Sequence, residues 1–105
     1  MAESFKIKQY KYYNFSSRDS SIAQSVILLY GDSGYLGAAY FSTEDEPLRP
    51  AEKYSNGTYG LFYDYQELQI IIDMLRNESP VYLIYNGALN TRLSTTEEPV
   101  GEGEE

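Results

Sequence analysis

Hydrophobic and polar positions alternate over residues 5–13, FKIKQYKYY. Phe5 and Ile7 fall on one side, and Lys6, Lys8, Tyr10 and Tyr12 on the other. This period of two is the pattern of a half-buried strand. A turn-rich stretch follows at 14–21. Residues 25–30, SVILLY, are a continuous apolar run, short enough for a central strand. The Gly31-Asp32-Ser33-Gly34 turn leads into a third strand at 35–41, where the small residues Gly37, Ala38 and Ala39 imply that something approaches closely. The segment 42–57 is the longest loop, with two prolines and an acidic cluster. A fourth strand is predicted at 58–63. Asp64 then caps a helix over 65–76, with Glu67 placed to complete a capping box and Asn77 as its C-cap. A fifth strand covers 80–85. Asn86-Gly87 is a two-residue hairpin signal, and a sixth strand covers 88–95.

The resulting order is β-β-β-β-α-β-β. It predicts an α+β fold of two layers, an antiparallel sheet of five or six strands with one helix packed on one face. One domain spans residues 1–96, and the acidic 97–105 tail is expected to be disordered. A helix of about 12 residues is roughly 18 Å long and covers only part of a sheet face. Yet both parities of the second strand are apolar, Val26, Leu28 and Tyr30 against Ile27 and Leu29. Either the sheet curls into a partial barrel or its second face meets a partner.

The helix carries a related surplus. Leu68, Ile71, Ile72 and Leu75 form one stripe, and Gln66, Gln69, Asp73 and Arg76 the wet side. Ile70 and Met74 widen the apolar arc to roughly 200°. They are accounted for if the loop folds over them through Pro47, Leu48 and Pro50. They are equally accounted for if they form the interface of a homodimer about a two-fold axis, the reading adopted here.

Composition narrows the chemistry. The 105 residues include 12 Tyr, 4 Phe, no Trp, no Cys and no His. So many tyrosines, each an apolar ring with a hydroxyl, imply a contact face. The net charge is −8, but five of the 16 acids lie in the tail, and the first 18 residues carry a net +3. The tail reads as a solubilising appendage or as a competitor for a basic surface. No apolar run approaches the length of a membrane helix. Residues 1–13 carry three lysines and lack the apolar core of a signal peptide, so a cytoplasmic location without membrane contact is expected.

Without histidine, Ser33 in the 31–34 turn has no usual base, so the segment reads as a turn and not as a nucleophile site. Zinc and other transition metals want Cys and His, which are absent, and Glu44, Asp45 and Glu46 lack the spacing of a Ca²⁺ loop. No catalytic residues, metal or cofactor are therefore expected. The chain reads as a small non-catalytic interaction protein, in the manner of an inhibitor, immunity-type or accessory protein. Its protein partner would contact Tyr10, Tyr12, Tyr35, Tyr40, Tyr54 and Tyr59. The alternative is single-stranded nucleic-acid binding through Lys6, Lys8, Tyr10 and Tyr12, cations for phosphate and rings for bases. The charge of −8 disfavours it, and the same residues also suit a solvated edge strand whose lysines discourage pairing.

Overall fold

A computed structural model describes residues 3–16, 24–43 and 49–95. The acidic cluster at 44–46, the loop residues Pro47 and Leu48, and the 97–105 tail lie outside the described residues. The fold is α+β, and among the described residues there are eight strands in two sheets and one α-helix packed against strands. The strands are β1 (Glu3–Lys6), β2 (Gln9–Asn14), β3 (Ser25–Gly31), β4 (Gly34–Ser42), β5 (Glu52–Lys53), β6 (Tyr59–Asp64), β7 (Tyr82–Tyr85) and β8 (Arg92–Ser94), with helix α1 (Leu68–Asn77) between β6 and β7. A five-stranded sheet has the order β2-β3-β4-β6-β5, and a three-stranded sheet the order β1-β7-β8.

The expected first strand is two strands. Its chain crosses between the sheets at Ile7 and Lys8, where the Ile7 N–H donates to the Val81 carbonyl at 2.8 Å and the Lys8 N–H to the Tyr30 carbonyl at 2.7 Å. The five-stranded sheet is antiparallel except for β4 and β6, which run parallel. The long connection between them is what permits this, because parallel neighbours need a crossover of a dozen or more residues. β5 lies within that connection and pairs with β6 at Glu52 and Lys53. Residues 88–91 do not join the sixth strand. Asn86 and Gly87 open a longer turn, closed by the Thr91 hydroxyl on the Gly87 carbonyl at 2.7 Å.

Strand register assigns the faces. Tyr10, Tyr12 and Asn14 lie opposite Leu29, Ile27 and Ser25, which lie opposite Gly37, Ala39 and Phe41, and these in turn pair with Tyr59, Leu61 and Tyr63. That face holds the core. Ile27, Leu29, Ala39 and Phe41 pack with Leu68 and Ile71 of α1 and with Leu83 and Leu93 of the three-stranded sheet. Helix and second sheet thus cover one face together. The expected stripe on α1 is the packing stripe, since Ile72 and Leu75 also lie against this cluster. Asp64 accepts from the Gln66 N–H at 3.1 Å, capping a 3-10 turn at Tyr65–Glu67 that leads into α1.

Gly37, one of the small residues of β4, has its explanation here. A Cβ on Gly37 would stand 2.8 Å from the Tyr59 backbone nitrogen. β6 therefore approaches β4 more closely than a side chain would allow. Among the described residues no helix is long and apolar enough to cross a membrane.

Candidate functional site

The opposite face of the five-stranded sheet carries a cluster of rings. One row across it reads Tyr13, Val26, Tyr40 and Phe62, and the next reads Lys11, Leu28, Ala38 and Gly60. Tyr30 and Tyr35 close the end beyond. The alternation that seats Ile27 and Leu29 in the core turns these neighbours outward. Tyr40 and Phe62 stack with centroids 5.3 Å apart and planes 16° apart. Tyr30 and Tyr35 meet edge to face at 5.7 Å. Between the two pairs β4 and β6 carry only the small residues Ala38 and Gly60, and Tyr54 lies over Gly60. A Cβ on Gly60 would meet the Tyr54 ring and hydroxyl.

Cations flank the rings. The Arg49 guanidinium lies 4.5 Å from the Phe62 centroid, and the Lys11 ammonium 5.6 Å from that of Tyr30. Burial raises the Tyr35 phenol above its ordinary pKa, and the nearby hydroxyls of Tyr40, Tyr30 and Tyr54 add to the rise. Tyr54 is raised for the same first reason, with Tyr40 and Glu52 adding and Arg49 opposing. At neutral pH Tyr35 and Tyr54 are therefore uncharged, and each hydroxyl presents a donor and an acceptor. Tyr13 and Tyr35 are each 45 % exposed. A pocket of about 340 Å³ between Arg49, Phe62 and Leu89 adjoins the cluster.

No family model, curated protein or solved structure matches this chain.

Of the six tyrosines expected at a partner surface, Tyr35, Tyr40 and Tyr54 are brought together on the outer face. Tyr10 and Tyr12 lie on the core side of the same sheet. Tyr10 is partly buried against the core, and Tyr12 is 42 % exposed. Tyr59 is 3 % exposed, and its hydroxyl donates to the Glu3 carboxylate, so it is a core residue and not a contact.

The Lys6, Lys8, Tyr10, Tyr12 face does not assemble. The crossing at Ile7–Lys8 leaves Lys6 opposite Tyr82 in the three-stranded sheet and Tyr10 and Tyr12 in the other. Lys8 instead pairs with Asp32 at 3.6 Å. At the expected dimer interface Ile70 is 59 % exposed, while Met74 packs against the core cluster. Among the described residues no group of three acidic side chains converges as a metal site.

Tyr13, Tyr30, Phe62 and Arg49 belong to the outer face and were not singled out from the sequence. The available signal was parity, since Val26, Leu28 and Tyr30 share one side of β3. A run apolar on both parities does not say which side faces the core.

Proposed function

We propose that this chain is a non-catalytic interaction domain of the cytoplasm whose outer sheet face binds a protein partner. One observation carries the reading. Tyr30, Tyr35, Tyr40, Tyr54 and Phe62 cluster on the sheet face opposite α1, with Arg49 and Lys11 beside them. Tyrosine and arginine are the residues that dominate binding energy at interfaces, because their large rigid surfaces end in hydrogen-bonding groups. The net charge of −8 favours a partner with a basic surface, approaching under electrostatic attraction. An inhibitor or accessory role suits such a face.

The test is capture from native lysate with the wild-type chain and a Tyr35→Ala/Tyr40→Ala variant in parallel, and with Tyr12→Ala as control. A stoichiometric partner held by wild type and control, and lost by the double variant, supports the reading. A partner retained equally by all three removes the outer face from it.

The proposal includes a second copy of the chain as a partner of α1. Ile70 supports it as a large apolar side chain exposed at mid-helix. Met74 lies one turn on, and its contact with the core makes it a support for Ile70 more than a contact itself.

A further inference from the structure

A groove of about 700 Å³ lies between the corner joining β1 to β2 and the last turn of α1. Its lining reverses the sign of the protein. Lys8, Lys11 and Arg76 stand there against one carboxylate, Glu78, in a chain whose net charge is −8. Counting Asp32, which pairs with Lys8 from outside the lining, the balance is still positive. Arg76 has no carboxylate within ion-pair distance among the described residues. A cation in the last turn of a helix is favoured by the helix dipole, which accounts for Arg76 by itself. It does not account for two lysines brought to the same groove, Lys8 from the corner and Lys11 from β2. Like charges around one cavity repel, and a bound anion removes that cost.

The remaining walls suit a flat apolar body. Tyr10 and Tyr30 bring rings, and Ile7, Leu75 and Val81 an aliphatic surface. The size falls within the roughly 300–1,000 Å³ of small-molecule sites. Arginine's planar fork matches phosphate oxygens in pairs, and the two ammonium groups add charge without demanding direction.

We propose that this groove binds a small phosphate-bearing ring compound of the nucleoside monophosphate class. Lys8, Lys11 and Arg76 hold the phosphate, and the ring lies along the β2 edge, where Tyr10 from the core side and Tyr30 from the outer side line the groove. The groove shares Tyr30 and Lys11 with the proposed partner face, whereas Lys8, Tyr10 and Arg76 belong to the groove alone.

The experiment is an amide NMR titration of the full chain with adenosine monophosphate, inorganic phosphate, adenosine and a short oligothymidylate. Saturable shifts are expected at 7–11 and 75–81 with the monophosphate, displaced by excess inorganic phosphate. Lys11→Gln/Arg76→Gln should weaken binding by about tenfold or more, the effect of losing charge-assisted hydrogen bonds. Lys6→Gln, which lies outside the groove, should leave it unchanged. Three results would overturn the proposal: no saturable shift at about 5 mM monophosphate, equal affinity in the double variant with its fold intact, or binding of the oligonucleotide without the monophosphate.

Discussion

Glu3 and Tyr59 are hydrogen-bonded across the two sheets. Glu3 begins β1 in the three-stranded sheet, and Tyr59 begins β6 in the other. Lys53 of β5 completes the group, its ammonium 3.1 Å from each carboxylate oxygen of Glu3. The Tyr59 hydrogen bond and then Lys53 hold the Glu3 carboxyl below its ordinary 4.5. A depressed acid contributes stability that is present above its unfolded value and is lost as pH falls through its folded one. Glu3→Gln should therefore lower the melting temperature at pH 7 and make no difference once the pH is below the folded value. Tyr59→Phe should reduce the effect of Glu3→Gln, because the two share one interaction. Thermal melts of both single variants and the double variant, across the acid range, measure this. Additive losses would show the contact to be energetically idle.

A second titration falls at the alkaline end. Tyr63 stacks on Phe41 at 5.2 Å, and burial pushes its phenol up to about 12. An exposed tyrosine ionises near 10. Its neutral form is thus favoured by folding, a stability fully present below pH of about 10 and lost as the pH rises towards about 12. Ultraviolet titration should show a late tyrosinate phase that merges with unfolding. Tyr63→Phe should remove that phase and shift alkaline unfolding upward. An unchanged late phase in the variant would assign it to another tyrosine.

Packing should divide sharply along the chain. Phe41 has no exposed surface, and Phe41→Ala should cost about 3–5 kcal/mol. Leu89 is 94 % exposed, and Leu89→Ala should change stability by no more than about 0.5 kcal/mol. Gly37→Ala drives a methyl into the Tyr59 backbone and should separate β4 from β6. Denaturant melts distinguish the three, and a mild Gly37→Ala would mean that the parallel pair yields more easily than its spacing suggests.

The dimer proposal is decided by mass. In the proposed assembly light scattering reads about twice the 12.0 kDa of the chain, and Ile70→Glu returns it to one. Because Ile70 is exposed, the melting temperature of the monomer should barely change, whereas Met74→Lys should lower it. A wild-type monomer at about 100 μM would refute the dimer.

Much of this was legible from pattern. The α+β class, the turn at 31–34, the helix and its packing stripe follow from periodicity and capping, which are local. The parallel pairing of β4 with β6 is not local, since it depends on where a long loop delivers the chain. The split of the first strand was hidden because Ile7 keeps the alternation while the backbone changes partners. Tyr59 read as a surface residue because nothing in its own segment reveals Glu3, more than fifty positions away. The outer-face rings were half found for the reason given by β3: with both parities apolar, only the helix and the second sheet decide which side is inside.

The crossing at Ile7 and Lys8 also determines how the molecule would respond to tension. β1 is an edge strand held to β7 by antiparallel pairs from Glu3 to Lys6. A pull from that end would peel it one pair at a time, at low force. The load would then reach the two backbone bonds at the corner, Ile7 to Val81 and Lys8 to Tyr30, which belong to different sheets. Once both open, the same pull acts on β2, again an edge strand. The two sheets would therefore come apart in sequence from a single thread, which is tied to both first through the Glu3 side chain and then through the backbone at the corner.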